Sequence, residues 1–92
     1  MEFTLEFFAN ERYKLLKLLC DNQVKVKEDY YVTLSQQEIA DIAHISKLKV
    51  NKIINELIDE KCLCLYKNKR GKYYLTEKGL KVLKIIQKNN FL

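Results

Sequence analysis

Ninety-two residues suffice for one domain, and a chain this short buries only about 60–65% of the surface it exposes when unfolded, so its stability leans on a partner surface. With 48% apolar and 32% charged residues, and no run of about 18 uncharged apolar positions, it is neither a disordered chain nor one with a membrane-spanning helix. The net charge of +5 is unevenly spread: residues 1–46 carry five basic and eight acidic side chains, whereas residues 47–92 carry twelve and four.

A basic half on a small domain is the electrostatic footprint of a polyanion binder, with a merely solubilising face as the alternative. Three sparse cysteines, Cys20, Cys62 and Cys64, argue against a disulfide framework and for a reducing compartment. The acidic, aromatic start MEFTLEFF has the wrong charge for a signal peptide. A cytoplasmic protein is expected.

In chain order, EFFANERYKLLKLLCDN predicts a helix over 6–21, with Leu15, Leu18 and Leu19 at helical spacing and Tyr13 and Leu16 widening the stripe. The polar NQVKVKED predicts a loop, and YYVTL, alternating Tyr30, Val32 and Leu34 against Tyr31 and Thr33, a short strand. Ser35 and Glu38 form an S-x-x-E capping box that opens a short helix bearing Ile39, Ile42 and Ala43. Ser46 caps a second helix, in which Val50, Ile53, Ile54, Leu57 and Ile58 follow i, i+3, i+4, i+7, i+8. CLCLYK and KYYL predict two strands joined through NKRG, a hairpin with Gly71 at its tip. Thr76 caps a last helix whose Leu80, Val82, Leu83, Ile85 and Ile86 cover more than one face. The expected class is α+β, mainly α, in the order α-β-α-α-β-β-α.

Two short helices about three residues apart, the second with a polar face rich in Lys and Asn, fit a helix-turn-helix. Opposite the apolar stripe lie Leu48, Lys52, Asn55 and Asp59, flanked by Lys49, Asn51 and Glu56, with Lys47 in the first turn. Lysine reaches phosphate or guanine O6/N7, asparagine pairs bidentately with adenine N6/N7, and Leu48 suits a thymine methyl. A solvated helix with Leu48 packed locally is the other reading of the same face.

The stretch from Thr33 to Leu83 resembles winged helix-turn-helix DNA-binding domains of the MarR/ArsR kind. The resemblance is carried by Q-x-E-I-A at 36–40, V-x-K-I-I-x-x-L at 50–57, the hairpin, and L-T-x-x-G at 75–79. It implies that Lys47, Lys49, Asn51, Lys52 and Asn55 meet the major groove. It places the wing tip, Lys67, Lys69, Arg70 and Lys72, along the flanking backbone or in the minor groove, and the helix start at Ser35, Gln36 and Gln37 against a phosphate. One departure stands out: Lys61 occupies a position that is commonly glycine in such domains, leaving the turn into the hairpin to form without one.

Cys62 and Cys64 read as small buried hydrophobes rather than a metal or redox site, because the C-x₂-C spacing of zinc sites is missing. His44, the single histidine, is a turn residue or an incidental phosphate contact. No nucleophile–base–acid set or glycine-rich phosphate loop can be assembled, so neither catalysis nor a cofactor is expected. Tyr66, Tyr73 and Tyr74 are expected to pair across the hairpin, with stacking on bases as the alternative.

Phe3, Leu5, Phe7 and Phe8 at one end and Phe91 and Leu92 at the other, with Leu83 and Ile86 of the two-faced last helix, suggest a homodimer interface; a monomer is the alternative. The whole chain is then one DNA-binding domain: a dimerisation helix at 1–21, the helix-turn-helix at 35–60, the wing at 63–75 and a terminal helix at 76–90. The expected function is sequence-specific binding of double-stranded DNA as a dimeric transcriptional repressor. Small partition adaptors of the TubR kind, which bind centromere-like repeats and recruit a filament-forming GTPase, offer an alternative. A winged-helix module that binds protein is the rival from another class.

Overall fold

The computed structural model describes residues 11–68 and 71–88. The elements are α1 (Glu11–Asp21), β1 (Gln23–Val26), β2 (Asp29–Val32), α2 (Gln36–Ala43), α3 (Lys47–Asp59), β3 (Leu63–Leu65), a 3₁₀ turn (Tyr66–Asn68), β4 (Tyr73–Leu75) and α4 (Glu77–Lys88). The four strands form one antiparallel sheet in the order β1-β2-β4-β3. None of the described helices is long and apolar enough to cross a membrane.

The order differs from expectation by one strand. The segment read as a loop is half of a hairpin, with Val24 opposite Tyr31 and Val26 opposite Asp29. Its alternating Gln-Val-Lys-Val supports a strand, but the two-residue turn Lys27–Glu28 contains neither Gly nor Asn. Lys27 takes φ 59° there, a conformation no lysine advertises in sequence. β2 ends at Val32 rather than at Leu34 and meets β4 through one residue pair, Val32 with Tyr73. The Gln23 side chain reinforces that junction by accepting from the Leu75 N–H at 3.3 Å. The predicted start of the first helix lies outside the described residues.

The core is three helical faces closed by the strands. α1 contributes Tyr13, Leu15, Leu16 and Leu19; α3 contributes Val50, Ile53, Ile54 and Leu57; α4 contributes Val82, Leu83 and Ile86. Val32, Ile39, Ala40, Cys62, Leu63, Tyr73 and Leu75 fill the space between. Each fully buried leucine or isoleucine stabilises by about 1.5–3 kcal/mol, so these side chains dominate so small a domain. Ile42, expected in the core, is 50% exposed, because α2 is too short to bury both flanks of its stripe and turns Ile39 and Ala40 inward instead.

The junction between α3 and α4 explains the L-T-x-x-G motif. α3 closes with the Cys62 N–H on the Leu57 carbonyl and the Lys61 N–H on the Ile58 carbonyl, both 3.0 Å, which is the Schellman pattern. That pattern requires a left-handed residue, and Lys61 supplies it at φ 64°. Thr76 then caps α4 by accepting the Gly79 N–H at 3.1 Å, and its hydroxyl donates to the Lys61 carbonyl. The Thr76 N–H takes the Cys62 carbonyl at 3.1 Å, and Lys78 Nζ donates to the Glu60 carbonyl at 2.6 Å.

The departure at Lys61 is therefore a change of residue without a change of geometry. A left-handed non-glycine residue costs about 1–2 kcal/mol, offset by the roughly 0.5–1 kcal/mol of extra chain entropy that a glycine would lose on folding. Lys61→Gly is expected to raise stability by about 0.5–1 kcal/mol, read as a higher urea midpoint at constant slope.

Candidate nucleic-acid interface

α3 is held by its neighbours so that one face stays open. Ser46 caps it by accepting the Lys49 N–H at 3.1 Å, and the four buried apolar residues turn the opposite side outward. On that side Lys47, Leu48, Asn51, Lys52 and Asn55 are all exposed. Leu48 is 85% exposed and packs into no cluster among the described residues. Local packing of Leu48 is thus excluded, and a large apolar side chain stands alone on a basic, amide-rich surface.

Lys49 forms an ion pair to α1, its Nζ 2.6 Å from Glu11 Oε1, beside a smaller cleft that Lys52 also lines. Beside it Arg12 forms a two-pronged pair with Glu56, Nε to Oε1 at 3.2 Å and Nη2 to Oε2 at 2.8 Å. That fork ties α1 to α3. Sequence reasoning assigned Arg12 no role, since nothing local links positions 44 residues apart.

The start of α2 faces the same side. The capping box is complete: the Ser35 hydroxyl accepts the Glu38 N–H and Glu38 Oε1 accepts the Ser35 N–H, both at 3.0 Å. The Ser35 side chain is therefore occupied, and the N–H groups that this start can offer an anion are those of Gln36 and Gln37. The Gln37 side chain is turned along its own helix, donating to Asp41 at 3.0 Å. Gln36 reaches across instead: its Oε1 accepts from Asn51 Nδ2 and its Nε2 donates to the Tyr73 hydroxyl, each at 3.2 Å. Between α2, α3 and the hairpin these residues line a cleft of about 770 Å³, with Lys47, Asn55 and Gly71 on its walls. His44 ends α2 in the left-handed conformation, φ 59°, which makes it the turn residue expected.

The wing root is built on tyrosines, but Tyr66 pairs outside the hairpin rather than across it. Tyr66 stacks on Tyr31 of β2, centroids 4.0 Å apart and planes 16° off parallel. Lys67 Nζ lies 5.4 Å from the Tyr66 ring centre and Lys72 Nζ 5.6 Å from that of Tyr31, so two wing cations flank an aromatic pair. Tyr73 is buried, and Tyr74 sits opposite Cys64. Gly71 takes φ +84°, as a hairpin tip of this length needs. Lys69 and Arg70 lie outside the described residues.

Tyr66 also donates to Asp29 Oδ2 at 2.7 Å, and this bond to the carboxylate pushes its pKa up to about 12. The bond favours the neutral phenol, so its stabilisation is fully present below the ordinary tyrosine range and is lost as pH rises through about 12. Tyr74 is also raised, by its hydrogen bond with Cys64, so ultraviolet titration should show late-ionising tyrosines, of which Asp29→Asn returns one toward its normal range. An unchanged profile would mean the bond does not hold in solution.

Burial leaves Cys62, Leu83 and Ile86 inert, whereas Cys64, read from sequence as buried, is half-buried. The Cys62 thiol is fully buried, donates to the Glu60 carbonyl at 3.8 Å, and is pushed up by desolvation, so it behaves as a small hydrophobe. Leu83 and Ile86, assigned from sequence to a contact between copies, are 5% and 1% exposed and belong to the chain's own core. On α4 the outward apolar side chains are Leu80 and Ile85. Phe3, Leu5, Phe7 and Phe8 lie outside the described residues.

A scan against protein-family models finds no match, and a search of curated proteins finds no relative. Solved structures do match. A mutant of MepR from S. aureus superposes with a TM-score of 0.70 at 24% identity, covering 91% of this chain and 60% of that one. The reduced, Fe(II) CO-sensing protein of R. rubrum gives 0.69 at 17% identity, covering 86% and 38%. A CRP-family transcriptional regulator from Thermus thermophilus gives 0.62 at 19% identity, covering 87% and 45%. The chain thus spans between 38% and 60% of the length of these three structures, and what it shares with them is the winged helix-turn-helix fold, which among the described residues of this chain is mainly helical α+β with four helices and a four-stranded antiparallel sheet.

Proposed function

We propose that this chain binds double-stranded DNA, with α3 in the major groove and the wing along the flanking backbone, and that it acts as a dimeric transcriptional repressor. The observation that carries the reading is the exposed face of α3. There an unburied Leu48 stands among Lys47, Lys52, Asn51 and Asn55, a combination that solvation alone does not favour and base edges do. The wing supports it by presenting Lys67 and Lys72 on a fixed aromatic root beside the same cleft. The regulator fold of the solved structures is consistent with this use.

Dimerisation is proposed through the terminal segments, with the exposed Leu80 on α4 and the N-terminal Phe3, Leu5, Phe7 and Phe8 as the apolar surface. Two reading heads then require half-sites about one helical turn apart. Footprinting on genomic fragments, with sedimentation of the free protein, tests both points. A single protected site with two-fold symmetry and a dimeric mass are expected. An array of evenly spaced repeats would assign the same binding to DNA partition, and a monomer protecting an asymmetric site would remove the dimer.

A further inference from the structure

The cleft contains a hydrogen-bond chain that gives the α3 asparagines a fixed orientation. Asn55 Nδ2 donates to Asn51 Oδ1 at 3.0 Å, Asn51 Nδ2 to Gln36 Oε1 at 3.2 Å, and Gln36 Nε2 to the Tyr73 hydroxyl at 3.2 Å. The chain begins on the exposed reading face and ends on a side chain only 3% exposed, rooted in the wing hairpin. It therefore links α3, α2 and β4.

An isolated asparagine on a helix surface samples several rotamers and both orientations of its amide. Ordering it on binding has an entropic cost, and an amide presented the wrong way round offers a base the wrong pattern. Here the bonds hold the rotamers, and with the Tyr73 hydroxyl accepting from Gln36 they orient each amide in turn. Every amide nitrogen gives one hydrogen toward Tyr73, which leaves Asn55 with its carbonyl oxygen and one N–H directed outward. An acceptor beside a donor is the complement of adenine, which offers N6–H₂ and N7 in the major groove. Guanine, with acceptors at both O6 and N7, would oppose the Asn55 oxygen with another oxygen.

We propose that Gln36 and Tyr73 are positioning residues that pre-orient Asn55 to read an adenine, so that preference for A·T at that step is a property of a relay across three elements. The proposal rests on the DNA-binding reading above and deepens it. It also changes the role of Gln36: the backbone N–H remains available to a phosphate, while the side chain belongs to base readout.

The test begins with duplexes selected from a randomised library, followed by replacement of each adenine in a half-site by 7-deazaadenine. That analogue lacks N7 yet keeps the base pair and the minor groove. The intact protein is expected to lose about tenfold in affinity at one adenine per half-site. In Tyr73→Phe and Gln36→Leu, affinity for the unmodified duplex should fall toward that for the 7-deaza duplex, so that the two become alike. Gln36 is at the surface of the cleft, so its variant keeps the test open should the buried Tyr73 substitution unfold the wing. A merely structural role would lower affinity for both duplexes equally and keep the tenfold ratio, which overturns the relay while leaving DNA binding intact. No adenine sensitive to N7 would overturn adenine readout, and no duplex binding at all would remove the reading beneath it.

Discussion

Gly79→Ala is expected to destabilise the domain by about 3 kcal/mol, the upper end of what overpacking a close contact costs. In a domain of this length that corresponds to a fall in thermal midpoint of roughly 12–24 °C. Helix propensity alone gives the opposite sign, since alanine is favoured over glycine by about 1 kcal/mol within a helix. The clash decides the matter. A Cβ at position 79 would fall well inside van der Waals contact of the Cys62 carbonyl oxygen, which is backbone and cannot rotate away. That carbonyl is also fixed by the Thr76 N–H, so relief requires the whole junction between α3 and α4 to open. A midpoint that stays level or rises would show that α4 does not seat on the end of α3.

The second large effect concerns charge. Replacing Lys47, Lys52, Lys67 and Lys72 together by glutamine is expected to leave the fold intact, because none of them is buried. The slope of log affinity against log salt should become shallower by about 3.6 per copy, from about 0.9 for each phosphate contact. At about 1.5 kcal/mol for each charge-assisted contact, the loss at low salt is roughly twenty-thousandfold per copy. Lys49→Gln provides the internal contrast. Its ammonium is committed to Glu11, so its effect on the slope should be smaller than that of Lys52→Gln. Equal effects would mean that the Glu11 pair breaks when DNA binds.

Much of this arrangement was legible in the sequence because the signals were local. The S-x-x-E box at Ser35, the faultless apolar period from Val50 to Leu57, the glycine of the wing tip and the threonine cap of α4 each concern residues within a turn of one another, and each stands where expected. The failures share a different cause. The β1–β2 hairpin was invisible because its turn uses Lys27 in a conformation usually left to glycine or asparagine. The Arg12–Glu56 fork, the Tyr31–Tyr66 stack and the Gln36–Tyr73 bond join positions that are far apart in sequence, and no periodicity reports them. Lys49 had the right spacing for the exposed face of α3, but pairs with a carboxylate on another helix. Leu83 and Ile86 had the spacing for a second apolar face, whereas the core itself consumed them and left Leu80 outside.

The central claim is that the exposed face of α3 and the wing meet duplex DNA. Its most direct test is the affinity of the intact protein for a duplex fragment across a salt series. Four lysines in each of two copies predict a log–log slope of roughly −7, at about −0.9 for each phosphate engaged. An affinity that stayed flat from low to moderate salt would contradict it, and would leave the basic face of α3 as a surface for some partner other than a nucleic acid.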